Sequence, residues 1–267
     1  MQRILHGVTY ALFALLAYLI AVNIVSYWVE LPAPGNIGFV LVFTLFSVLH
    51  CGLMLGRRGL ALFFGLSFVI SFIMEELGVR TGLIFGPYHY SDMLGPKLSN
   101  VPLLIPLGWF MMIYPSWVVA RAILRGTDVR QPAGLVMLAL VAALVMTGWD
   151  MVMDPPMVAG GNWIWEQGGP YFGVPRQNYF GWVLNTFLIY VAFAAAYRAM
   201  SGGASPSYRF GGLFPMLPVL VYIWFSIEYI APGRMEALQV VAVFSMAMPG
   251  VLALARLVLP EAAPEPG

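Results

Sequence analysis

Long apolar runs, one after another, constrain this chain more than anything else in it. They fall at about 5–29, 36–55, 59–77, 101–124, 132–153, 179–200, 212–232 and 237–259. Each is near the ~20 residues that a helix needs to cross a bilayer. In lipid the backbone must satisfy its own N–H and C=O groups, and a helix does so within one segment. Charge agrees with this reading: charged residues are 9% of 267 and hydrophobic ones 61%. A soluble domain carries about 25% charged residues, and a surface this poor in charge suits lipid better than water. The expected architecture is all-α: a polytopic membrane bundle of about eight transmembrane helices in one domain over 1–260. A Pro/Glu/Ala-rich tail at 261–267 is expected to be disordered.

Breakers punctuate the runs at Pro32 and Pro34, Gly56 to Gly59, Pro132, Gly202-Gly203 and Pro232-Gly233. The first run is too long for the apolar region of a signal peptide and reads as a retained span. Alternating the spans from a cytoplasmic N-terminus puts nine of thirteen basic residues inside: Arg3, Arg57, Arg58, Arg121, Arg125, Arg130, Arg198, Arg209 and Arg256. Arg80, Lys97, Arg176 and Arg234 fall outside, with nine of the twelve acids; Asp128, Glu261 and Glu265 stay inside. This is the positive-inside pattern, and it predicts a multi-pass protein of the inner (cytoplasmic) membrane with both termini cytoplasmic. A seven-helix reading, with the last two runs uncertain, keeps most of the asymmetry.

Two connections are long, about 78–100 and 154–178, and both lie on the outer side in this reading. They echo each other. Gly86-Pro87-Tyr88, Val101-Pro102 and Gly108-Trp109 in the first match Gly169-Pro170-Tyr171, Val174-Pro175 and Gly181-Trp182 in the second. The third and fourth spans, and the fifth and sixth, read as a diverged repeat of parallel orientation.

Ionisable residues at membrane depth are functional candidates. Glu75 and Glu76 end the third span, where Arg80 can pair with Glu76 one turn on while Glu75 points elsewhere. Asp150 and Asp154 share one face of the fifth span, which Pro155 and Pro156 are expected to end. Two such carboxylates can share a proton, and that supplies an acid near neutral pH. Tyr88, Tyr90, Trp109, Trp163, Trp165 and Tyr171 crowd the same region; aromatic faces stabilise cations. Asn178 and Asn185 can orient water or a carboxylate. Glu228 and Glu236 read as interfacial.

Other classes find little support. One cysteine, Cys51, makes no disulfide framework. His6, His50 and His89 are scattered, which argues against a membrane di-iron hydroxylase. A net charge of +1 offers no basic stripe for nucleic acid. No phosphate-binding glycine loop or GxSxG motif is present.

The loop motifs carry a resemblance. The run from Glu75 to Gly82, Phe85-Gly86-Pro87-Tyr88-His89-Tyr90, Leu94-Gly95-Pro96-Lys97 and Val101-Pro102 are similar to the carotenoid biosynthesis membrane family, which includes carotenoid 1,2-hydratases and bisanhydrobacterioruberin hydratase. So are Asp150, Asp154-Pro155, Trp163 to Trp165, Gly169-Pro170-Tyr171, Gly173-Val174-Pro175 and Asn178 to Trp182. The likeness covers about 70–200. It implies a hydro-lyase that adds water to the terminal isopropylidene double bond of a carotenoid, giving a tertiary alcohol without a redox cofactor. It further implies a carotenoid substrate, lipid surroundings and a setting among other carotenoid-biosynthesis enzymes. It assigns no residue roles. On the residues alone, Asp150 or Asp154 donates the proton, and Glu75 or Glu76 orients water or acts as base. Two rivals stay open: a prenyltransferase holding magnesium diphosphate at Asp150 and Asp154, and a non-enzymatic carotenoid or lipid carrier.

Overall fold

In the computed structural model, the described residues are 1–31, 35–129, 131–200, 211–233 and 235–259. Pro32, Pro34, Arg130, Gly202, Gly203, Arg209, Arg234, Glu261, Glu265 and the tail 261–267 lie outside them. Every expected run is helical. The helices are α1 (Gln2–Val25), α2 (Asn36–Thr81), α3 (Leu104–Ile123), α4 (Pro132–Ala159), α5 (Arg176–Met200), α6 (Leu217–Ile230), α7 (Glu236–Ala242) and α8 (Met248–Val258). A π-helical turn, Val243–Ala247, makes α7 and α8 one continuous run. Five helical segments are long and apolar enough to cross a membrane: α1, α2, α4, α5 and the joined α7–α8. The chain is a multi-pass helical membrane protein.

Two expected spans share α2. Its 46 residues would extend about 69 Å at 1.5 Å each, twice the hydrocarbon core. The break is one residue, Gly56, at φ 76 and ψ 171, a conformation that costs glycine little. The chain reverses there. Before it, Thr44, Ser47 and His50 meet Leu107, Met111 and Tyr114 of α3 in ascending order, so the two run parallel. After it, Phe63 packs on Trp117 while Glu75 reaches back to Trp109, so they run antiparallel. Arg57 and Arg58 sit at the turn.

The other helices alternate likewise. Trp109–Trp182 and Trp117–Tyr190 set α5 parallel to α3. Tyr222 donates to the Val145 carbonyl and Phe225 packs near Trp149, which sets α6 parallel to α4. Trp224 donates to Ala17 O, and Asn23 to Glu228, so α1 runs with α6. At one end Arg125 and Arg256 each donate to the other's carbonyl oxygen. The described arginines of the expected inside set, namely Arg3, Arg57, Arg58, Arg121, Arg125, Arg198 and Arg256, gather at this end. Both long connections lie at the other.

Helix α3 is the centre of the bundle, with Tyr114, Phe110 and Ile113 fully enclosed. Pro115 lies inside it and cannot donate to the carbonyl of Met111. The Ser47 hydroxyl donates there instead, at 2.9 Å. The same device corrects an expectation. Pro155 and Pro156 do not end α4, which continues to Ala159. Pro155 frees the Met151 carbonyl, and the Tyr171 hydroxyl donates to it at 2.8 Å. A side-chain hydroxyl thus replaces the backbone bond lost at Pro115 and at Pro155. His50 is a packing residue: Nδ1 meets Tyr114 Oη at 2.7 Å and Nε2 meets Phe214 O at 2.8 Å.

The loop echo is only partly structural. The paired helices run in the same sense, and the tryptophans of the two Gly-Trp pairs, Trp109 and Trp182, stack at 4.0 Å. The strands do not correspond. In the first loop β1 (Tyr88–Tyr90) begins within the Gly-Pro-Tyr motif, followed by the short pair β2 (Lys97–Leu98) and β3 (Val101–Pro102). In the second, β4 (Trp163–Trp165) precedes the motif. Strands β1 and β4 pair antiparallel, with Tyr88 opposite Trp165 and Tyr90 opposite Trp163.

Candidate active site

The β1–β4 ribbon presents one face to the bundle. Tyr88, Tyr90, Trp163 and Trp165 are buried, while His89 and Ile164 face out, as a period of two requires. Beneath the ribbon are two groups of carboxylates, one on each helical hairpin.

Glu75, in the last two turns of α2, is 4% exposed. Its Oε2 accepts from the hydroxyls of Tyr88 and Tyr90, the latter at 2.7 Å, and its Oε1 from Trp109 Nε1 at 2.9 Å. Burial, then the Glu75 charge, pushes both phenols well above their ordinary range, so they remain donors. Glu76 points the other way. It accepts from Arg80 Nε at 2.5 Å, Ser99 Oγ at 2.8 Å and Asn100 Nδ2 at 2.8 Å, tying the loop to the helix end. The structure therefore places Glu76 outside the site that the sequence reading gave it.

Asp150 and Asp154 are each 1% exposed on one face of α4. Asn178, in the first turn of α5, bridges them: its Nδ2 donates to Asp150 Oδ2 at 2.8 Å and to Asp154 Oδ2 at 2.9 Å. Trp163 Nε1 donates to Asp154 Oδ1 at 2.6 Å. Asp150 Oδ1 is buried with no hydrogen-bond partner among the described residues.

These groups line one cavity of about 690 Å³, within the ~300–1,000 Å³ usual for small-molecule sites. Of the expected site residues, Glu75, Tyr88, Tyr90, Trp109, Asp150, Asp154, Trp163, Trp165 and Asn178 line it. Three do not. Glu76 is on the surface side, and Tyr171 is spent on the Met151 carbonyl. Burial raises the Tyr171 phenol to about 12, which keeps it a donor. Asn185 lies buried about two turns along α5 from Asn178, and its amide finds no partner among the described residues.

The cavity also holds residues that the sequence reading did not assign to the site. Trp149, Trp182 and Phe225 add aromatic surface. Glu228, expected at the interface, is 8% exposed and lines the cavity with Asn23. A signal was present: Glu228 is the sole charged residue in the apolar run Leu217–Ile230. Among the described residues, no three His, Cys, Asp or Glu side chains are grouped to hold a metal ion.

The arrangement sets a pair of buried carboxyl groups against an aromatic-lined cavity, where a carboxylic acid could deliver a proton to a bound apolar molecule. The family described as "Carotenoid biosynthesis protein" matches residues 35–258. Bisanhydrobacterioruberin hydratase of Haloarcula japonica is 37% identical over 116 residues. That match spans 43% of this chain and 38% of the relative, so the chain covers well under half of that protein's length. No solved structure matches.

Proposed function

The chain belongs to the carotenoid biosynthesis protein family, and on that premise we propose that it is a carotenoid hydratase. It adds water across the terminal isopropylidene double bond of an acyclic end group. Asp150 is the acid. Asp154 takes two hydrogen bonds, from Trp163 and Asn178, whereas Asp150 takes one and keeps Oδ1 unengaged. Donors favour the ionised partner, so the proton shared by the pair rests on Asp150. The alkene π electrons take this proton at the CH carbon, leaving a tertiary cation on the carbon bearing the methyl groups. The faces of Trp149, Trp182 and the ribbon aromatics stabilise the cation. A water oxygen then bonds to the cationic carbon and gives up a proton, and no electrons are exchanged with a redox partner. Glu75, its oxygens already holding three donors, fixes the aromatic wall.

The observation that carries this reading is Asp150 Oδ1, a buried, unengaged carboxylate oxygen in an aromatic cavity. The test is Asp150→Asn expressed in a carotenoid-producing host. The variant should insert normally, and the less polar carotenoid lacking the tertiary alcohol should accumulate. Normal alcohol would refute the site. A product heavier by one oxygen rather than one water, or loss of activity in EDTA, would refute the reaction. Pigment bound without any product would favour the carrier reading.

The arginine-rich end faces the cytoplasm in this reading, as the positive-inside bias requires, and the cavity opens on the far side of the inner membrane. A cysteine at His89 should then label from outside in intact cells, and one at Arg125 should not.

A further inference from the structure

Glu228 is the buried carboxylate that the reaction above does not use. It lies in the last turn of α6, which ends at Ile230, where a helix dipole disfavours an anion. Burial disfavours it again. It lines the cavity from the wall that α1 and α6 build, and Asn23 Nδ2 stands 3.5 Å from its Oε1. Its depth follows from register. Tyr222 bonds the Val145 carbonyl and Phe225 packs near Trp149, so α6 runs beside α4 with a constant offset. That offset sets Glu228 level with Val152, between Asp150 and Asp154. Phe225, one turn before it on α6, packs near Trp149 of α4, and both rings line the same cavity.

We propose that Glu228 is the base that takes the proton from the attacking water, and that Asn23 positions it. The inference rests on the hydratase reading and adds a second wall to it. Asp150 supplies a proton to the alkene carbon from the α4 side. Water bonds to the tertiary carbon from the α6 side, and its surplus proton passes to the Glu228 carboxylate. Glu228 then releases a proton to solvent and Asp150 regains one, so each turnover consumes one water and nothing else.

Two half-reactions separate in this scheme. In deuterated water, deuteron transfer from Asp150 to the alkene CH carbon, followed by return of a methyl proton to the Asp150 carboxylate, exchanges the end-group methyls without making alcohol. The experiment uses the full chain in lipid nanodiscs with a linear C40 carotene bearing isopropylidene ends. Glu228→Gln should bind the pigment and keep the deuterium exchange, but lose alcohol formation by roughly 10²-fold or more, the size of a general-base contribution. Glu228→Asp should recover part of the loss. Asn23→Leu should lower kcat with little change in KM. If Glu228→Gln makes alcohol at near the normal rate, or loses exchange and alcohol together while still binding pigment, the proposal falls. Should the unaltered protein show neither alcohol nor exchange, the hydratase reading itself falls, and this proposal with it.

Discussion

Glu75 and the Asp150–Asp154 pair sit under the same ribbon, at the same end of the bundle, on two hairpins that run in the same sense. Their surroundings differ. Three donors from three separate elements converge on Glu75, and the group is complete without a ligand. The aspartate pair shares one amide and leaves an oxygen unengaged. A buried polar network with every partner in place makes a rigid wall, whereas one left short of a partner carries a cost that a substrate or proton can relieve. In the reaction we propose, the unfinished acid does the chemistry and the finished one sets the shape of the wall.

Substitutions can break this comparison. Asp150→Asn should cost most, about 10²- to 10⁴-fold in alcohol formation, the range for a general acid; pigment mass and retention would report it. Asn178→Leu comes next. It removes a donor shared by two carboxylates, and a hydrogen bond to a charged group is worth about 1.5–3 kcal/mol, or roughly 10- to 100-fold in rate. Glu75→Gln should fall within about tenfold of normal, since an amide oxygen still accepts from the wall. If it is as inactive as Asp150→Asn, the assignment of shape to one group and chemistry to the other is wrong. Tyr171→Phe leaves the Met151 carbonyl bare. It should lower thermal stability by about 1–3 kcal/mol with kcat nearly intact.

The smallest effect belongs to the surface. Lys97 Nζ donates to Asp92 Oδ1 at 2.8 Å and to the Tyr90 carbonyl at 2.8 Å. The bond and the charge of Lys97 hold the Asp92 carboxyl below its usual range. A depressed carboxyl stabilises fully above its unfolded value near 3.9, and that help fades as pH falls through the folded value. Activity measured from pH 8 down to 5 should therefore not move on account of this pair. Lys97→Met should loosen the loop only slightly, as limited proteolysis would show.

Much of this was legible in residues alone. Hydropathy placed all eight helical runs, and the four-residue spacings gave both the Glu76–Arg80 pair and the shared face of Asp150 and Asp154. The departures share a cause. Proline rules foresee the bond that Pro155 loses, but not that Tyr171, twenty residues on, replaces it. Glu75 and Glu76 are neighbours in the chain, and only the loop from Tyr88 to Asn100 decides that one is enclosed and the other tied to the surface. Glu228 reads as interfacial because its burial comes from α1, 205 residues away. Local patterns set the helices. Which polar atom faces a cavity depends on partners that no local pattern names.

The β1–β4 ribbon has a consequence for how such a chain can vary among its relatives. Its inward residues belong to two hairpins, and a slip of one residue would turn each inward side chain out. A one-residue insertion or deletion in β1 would put His89 under the ribbon and strip Glu75 of its tyrosines; one in β4 would put Ile164 there and take Trp163 from Asp154. Exchanging His89 or Ile164 for another side chain would disturb nothing beneath. In this segment the spacing of the inward residues is what the cavity constrains, while His89 and Ile164 point away from it.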